Sequence, residues 1–239
     1  MKELRRYIID VLKKNNDPLD INAFTMKKYV LPHTPELDLL TYLISKQYIT
    51  FDEFERVMNE LAVRRKYCDL YKWEARSFVL TWGESHIRGL FPELIKATKR
   101  KIINRYPDFA GEFNLWSGGI RVEVKACRAY STGADENLTQ RAYLHKEAVN
   151  AGFRYRYPKL NPSCCDVFIL IGVCLDELVY WVLSSEELLN HNKFVPQHRN
   201  GNAGLNSIKG RLSVTEEEMR SYCVAEQDIL RTVRKKANK

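Results

Sequence analysis

Pro107-Asp108 and, further along the chain, Glu123-Val124-Lys125 set two carboxylates and an amine at intervals that suit catalysis. Glu123 and Lys125 lie two apart in the alternating run "IRVEVKA". On a strand they share one face, while Val122 and Val124 turn to the other and can pack in a core. Fourteen residues separate Asp108 from Glu123, and the intervening "SGG" at 117–119 supplies the positive φ of a tight hairpin turn. Such a hairpin returns Asp108 toward the far end of the Glu123 strand. Two converging carboxylates make an all-oxygen pocket suited to Mg²⁺, which keeps several waters besides. A lysine beside that pocket could orient or deprotonate an attacking water, or stabilise charge on a phosphate. Glu112, four residues after Asp108, shares its strand face and could replace it as a ligand if the register slips. The competing account makes Glu123 and Lys125 a solvated strand face, with Asp108 capping a turn after Pro107.

The surrounding helices and strands follow from periodicity. Residues 1–72 read as a helical N-terminal region. Leu4, Tyr7, Ile8, Val11 and Leu12 fall on one helical face, closed by "NNDP". A second helix starts at Thr34-Pro35. A third is announced by Thr50 and Glu53 at capping-box spacing, with Phe54, Val57, Met58 and Leu61 as its stripe. This arrangement predicts either a bundle packed on the main domain or a helix-turn-helix or winged-helix piece that contacts DNA.

Residues 73–239 read as one α/β domain. Helical patterning continues to Arg105, with a fresh start at Pro92 and a stripe of Leu94, Ile95, Thr98 and Ile102. The period then changes to 2 in "FAGEFNLW" and "IRVEVKAC". A helix follows within "ENLTQRAYLHKEAVNAG". "CDVFILIGVCL" is nearly continuous apolar, the mark of a strand buried on both faces. "ELVYWVL" is a further strand, "SSEELLNH" a Ser-capped helix, and the C-terminus one more helix opened by Thr215 and Glu218. The expected fold is a mixed central β-sheet flanked by helices.

The 239 residues carry 38 Lys and Arg against 30 Asp and Glu, a formal charge of +8, which favours a polyanionic partner. The six cysteines include no C-x-x-C pair and no zinc-finger spacing, and suit free thiols in a reducing compartment. No apolar run reaches the length of a membrane span, so a cytoplasmic protein without membrane association is expected. "RAYSTGADENLTQR", "AGFRYRYPKLNP" and "HNKFVPQHRNGNAG" are candidate DNA-contacting loops, the second because it interleaves Arg and Tyr.

Pro-Asp followed by a hairpin and Glu-x-Lys resembles the PD-(D/E)xK nuclease superfamily, type II restriction endonucleases in particular. The acidic-x-Lys triplet occurs once in the chain, behind the hairpin. A helix before the Asp, a helix after the Lys and two further strands also agree, over about residues 75–190. The resemblance implies a restriction-endonuclease-like fold, with Mg²⁺ (or Mn²⁺ in its place) held by Asp108 and Glu123, and Lys125 assisting the hydrolytic water. Many members add a metal-binding or positioning Glu on the preceding helix. Glu84 in "TWGESHIRGL" matches that place, with Glu93 an alternative, and Gln140 falls where relatives sometimes use a Gln. The implied activity is sequence-specific cleavage of double-stranded DNA to 5′-phosphate and 3′-hydroxyl ends by a homodimer. A structure-specific, transposition or repair nuclease, or a DNA-binding regulator that does not cleave, are the alternatives.

Overall fold

The computed structural model describes residues 2–19, 35–74, 78–104, 106–107, 109, 111, 113–132, 138–196 and 209–237. The chain divides into two compact units, Met1–Arg65 and Lys66–Lys239. Among its described residues the first holds three helices: α1 (Lys2–Lys14), α2 (Pro35–Ser45) and α3 (Phe51–Arg64). Their apolar stripes meet in a core of Leu4, Ile8, Leu12, Leu39, Leu40, Leu43, Ile49 and Val57. The expected capping box opens α3: Glu53 N donates to Thr50 Oγ1 (3.2 Å), and Thr50 N donates to Glu53 Oε2 (2.8 Å).

The second unit is mixed α/β. A π-helical turn, Phe78–Trp82, runs into α4 (Gly83–Leu90), followed by β1 (Ile95–Lys96) and the short helix α5 (Lys99–Ile102). The hairpin strands are β2 (Leu115–Ser117) and β3 (Ile120–Arg128), joined through Gly118 and Gly119 at φ of 57° and 97°. These are the left-handed conformations that a two-residue turn demands. Then come α6 (Leu138–Arg141), α7 (His145–Asn150), β4 (Tyr155–Leu160), β5 (Val167–Val173), β6 (Leu178–Ser184), α8 (Ser185–Leu189), β7 (Phe194–Pro196) and β8 (Gly210–Val214). Helix α9 (Ile229–Ala237) is the last element.

Strands β1, β2, β3, β5 and β6 form one sheet in that order, with β3 and β5 parallel and every other pair antiparallel. Each residue of β5 is buried, as its unbroken apolar run requires of a strand covered on both faces. On one face Val122, Val124, Ile169 and Ile171 pack against Ile87 of α4 and Ile229 and Val233 of α9. On the other, Phe168, Leu170, Trp181 and Leu183 pack against Tyr155, Tyr157, Leu212 and Val214. The last four belong to a second sheet, β4-β8-β7.

Three expectations are corrected. The helix expected from Pro92 is instead β1 and α5. Leu94 and Ile102 are buried as the helical stripe required, but Ile95 and Lys96 pair with Trp116 and Leu115 of β2. Among the described residues of "FAGEFNLW" only Leu115 and Trp116 join β2; before them Gly111 turns left-handed (φ 89°) and Phe109 and Phe113 close on each other, centroids 4.9 Å apart. The C-terminal helix is broken at Cys223, where Val224 N donates to Tyr180 O (3.0 Å). Two 3₁₀ segments, Glu217–Tyr222 and Glu226–Asp228, precede α9 there.

The Arg-Tyr stretch is likewise no loop. It is β4, with Tyr155 and Tyr157 buried and Arg156 exposed, so these tyrosines have no face on which a base could stack. In "RAYSTGADENLTQR" residues 133–137 lie outside the described residues, as do 197–204 of "HNKFVPQHRNGNAG" and 205–208 after it. Among the described residues no helix is long and apolar enough to cross a membrane. No cysteine is in a disulfide; Cys165 and Cys174 are buried.

Candidate active site at the fork between β2 and β3

The ladder between β2 and β3 runs Ser117↔Ile120, Trp116↔Arg121 and Leu115↔Val122, and there it ends. Beyond it, the Asn114 side chain takes the place of a strand partner, its Oδ1 accepting from Val124 N at 2.8 Å. The two strands therefore separate just where Glu123 begins. The opposite edge of β3 stays paired with β5, Glu123 beside Phe168 and Lys125 beside Leu170. Glu123 and Lys125 project from one face, as the two-residue spacing required.

Glu123 is only 6 % exposed, an unusual position for a carboxylate. Lys125 Nζ lies 2.5 Å from Glu123 Oε1, and Glu123 Oε2 is buried with no hydrogen-bond partner among the described residues. Burial pushes the Glu123 carboxyl above its ordinary value. The Lys125 ammonium and the neighbouring Asn114 amide pull it back, and the charge of Glu84 pushes the same way as burial.

Glu84 reaches this point from α4, where it is 8 % exposed. The helix is set by Ile87 in the core and by His86, whose Nε2 lies 2.7 Å from Tyr180 Oη. Gly83 lets it approach β3 closely: a Cβ there would meet Ala126 Cβ at 3.3 Å and Val124 Cγ1 at 3.4 Å. A second ammonium completes the group. Lys96, at the end of β1, places Nζ 3.2 Å from Glu84 Oε1. β1 is held there because Ala97 N donates to the Asn114 carbonyl (2.8 Å). Asn114 thus ties β1, β2 and β3 together at the fork.

The structure brings Glu84, Glu123 and Lys125 together, with Lys96 beside them. Asp108 and Glu112 lie outside the described residues. Glu93 is exposed on the turn after α4, and Gln140 is exposed on α6. Lys96 and Asn114 escaped sequence reading. Lys96 was masked by a helical pattern that hid its strand, and Asn114 serves through a side-chain bond across a strand gap that no local spacing reports.

The fit of Mg²⁺ turns on Glu123 Oε2. A buried carboxylate oxygen without a donor is costly as it stands and suits a cation. Among the described residues no group of three or more His, Cys, Asp or Glu gathers closely enough to hold a metal. Two carboxylates with waters nevertheless match the way Mg²⁺ is bound. The donor chemistry of Glu123 and Glu84 is therefore of the kind that suits the ion. No protein-family model, no curated protein and no solved structure matches this chain.

Proposed function

We propose that residues 66–239 form a Mg²⁺-dependent DNA endonuclease with a restriction-endonuclease-like fold, acting as a type II restriction enzyme. The observation that carries this reading is Glu123: a buried carboxylate that has, among the described residues, one oxygen without a donor, with Lys125 on its other oxygen and Glu84 near enough for its charge to raise the carboxyl. A purely structural account has no use for it, because two apolar residues would stabilise the strand better. Sites built for chemistry regularly carry this kind of perturbed, imperfectly satisfied charge. The helix before the hairpin, the helices after Lys125 and the two further strands of the sheet agree with that fold.

Glu123 and Glu84 would hold Mg²⁺, with Asp108 the remaining candidate ligand. The ion supplies Lewis-acid polarisation of the phosphate and a lowered pKa for a bound water. Lys125 orients the attacking water and offers its ammonium to the negative charge that grows on phosphorus-bound oxygen. Lys96 holds Glu84 in place through Oε1. In-line attack that expels the 3′ oxygen leaves 5′-phosphate and 3′-hydroxyl ends. Cutting both strands of a palindromic duplex calls for two copies related by a two-fold axis. The net charge of +8 favours such a substrate.

The test is cleavage of plasmid and phage DNA with Mg²⁺ or with EDTA, by the wild type and by Glu123→Gln and Lys125→Ala. The expected result is discrete fragments that need Mg²⁺ and disappear in both variants, while circular dichroism shows the variants folded. DNA binding without cleavage of any substrate would overturn the nuclease reading in favour of a regulator.

A further inference from the structure

The segment "KATKRK", Lys96 to Lys101, places four cations among six residues, and no acidic residue occurs between Glu93 and Asp108. Three of them, Lys99, Arg100 and Lys101, fall in the single turn of α5, and all are exposed. Cations packed into one turn repel one another, so the sequence works against the element it forms. Among the described residues no hydrogen bond or ion pair to an acidic side chain offsets this for those three. The turn is held by apolar anchors instead: Ile102 is buried, Ala97 is nearly so, and Ala97 N is bonded to Asn114 O. The chain has thus been fixed so that its cations face outward.

The position of this turn gives the charge a purpose. Lys96, at the near end, is ion-paired with Glu84, yet half of its side chain is exposed, leaving ammonium donors for another acceptor. From Lys96, ion-paired with Glu84, the backbone runs on to Lys101 with four cations and no acidic side chain. The matching partner is a linear polyanion whose charges repeat along its length.

We infer that Lys96, Lys99, Arg100 and Lys101 form the track that grips the phosphate backbone of duplex DNA and leads one strand to Glu84, Glu123 and Lys125. The inference rests on the nuclease reading and names the surface by which that site takes its substrate. Lys96 is a positioning residue at the junction; the three residues of α5 supply sequence-independent affinity.

The experiment is binding of a labelled duplex by fluorescence anisotropy in EDTA over a salt series of about 50 to 200 mM. The wild type is compared with the triple variant Lys99→Ala/Arg100→Ala/Lys101→Ala. A control, Arg231→Ala/Arg234→Ala/Lys235→Ala, removes three exposed charges from α9 instead. The α5 variant is expected to bind roughly 10- to 100-fold more weakly at the low-salt end, with a log–log salt slope shallower by about 2 to 3. The α9 control is expected to stay near the wild type, and the melting temperatures of all three to agree. An α5 variant that binds like the wild type, or an α9 control that loses as much, would overturn the track. A wild type that binds no duplex overturns both the track and the nuclease reading. The expected binding losses without any Mg²⁺-dependent cleavage leave the track standing and overturn the catalytic assignment alone.

Discussion

Replacing Lys125 by methionine keeps the aliphatic stem and removes the cation 2.5 Å from a buried carboxylate. What remains is Glu123 with Glu84 nearby, both carboxylates and both largely out of water. The penalty has a ceiling, since Glu123 can take up a proton instead of staying charged. From its ordinary value of 4.5 to a pH of about 7.5 is about three units, or roughly 4 kcal/mol at about 1.36 kcal/mol per unit. The wild type already bears part of this cost, because burial raises the carboxyl even with Lys125 in place. The additional loss should therefore be about 2–3 kcal/mol, at or below the usual range for breaking a buried pair. For a chain of this size that corresponds to a drop in Tm of roughly 4–12 °C.

The sign of the pH dependence follows from the raised value. A carboxyl raised on folding weakens the fold once pH passes its unfolded value, and the penalty is complete above its folded value. Below the unfolded value both states are protonated and the penalty is gone. At about pH 5 the ceiling falls to roughly 0.7 kcal/mol, so the variant and the wild type should nearly converge. The assay is urea unfolding in EDTA at both pH values, with Glu123→Gln/Lys125→Met as the third protein. The double variant should recover most of the loss, having no buried charge left to neutralise. A loss equally large at low pH, or one that persists in the double variant, would refute the electrostatic reasoning and make Lys125 a packing residue.

Two further outcomes concern the scaffold. In β5, a Cβ on Gly172 would sit 2.7 Å from Tyr155 Cε1 and 2.8 Å from Trp181 Cη2, both on fully buried rings. Gly172→Ala should therefore cost about 1–3 kcal/mol by overpacking. By contrast Gly89→Ala in α4, with nothing within 4 Å, should be neutral or slightly stabilising; thermal melts that rank the two the other way would contradict the packing. Between α8 and α9, Lys236 Nζ pairs with Glu187 Oε2 at 2.5 Å. Burial pushes the Glu187 carboxyl up, but Lys236 and the Ser184 amide outweigh it and hold the group below its ordinary value. The pair's contribution is thus present above the ordinary value and fades as pH falls through the lowered one. Lys236→Met should cost about 1 kcal/mol near neutrality and less at about pH 3.5, and a pH-independent loss in unfolding titrations would count against the pair.

Features under short-range control are legible in the order of residues. The paired glycines at 118 and 119 demand a tight turn, and alternation puts Glu123 and Lys125 on one face of β3. The caps at Thr50 and Ser184 open α3 and α8, and the unbroken apolar run of β5 marks the middle of the sheet. Each of these depends on neighbours within a few residues, so composition and spacing carry the information.

Other features depend on contacts between segments far apart in the chain. β1 is two residues long and exists only because β2 lies alongside to accept it, so a helical stripe was equally consistent with its sequence. β4 reads as an exposed Arg-Tyr segment until β8 pairs with it and turns both tyrosines inward. The candidate site is divided in the same way. Glu123 and Lys125 follow from one strand's pleat, whereas Lys96, Asn114 and the closeness of Glu84 depend on three strands and a helix meeting where β2 leaves β3. Local periodicity tells each side chain which face it takes. Only the packing of distant segments decides which face meets which, because that choice is settled by buried area and strand pairing summed over the whole core.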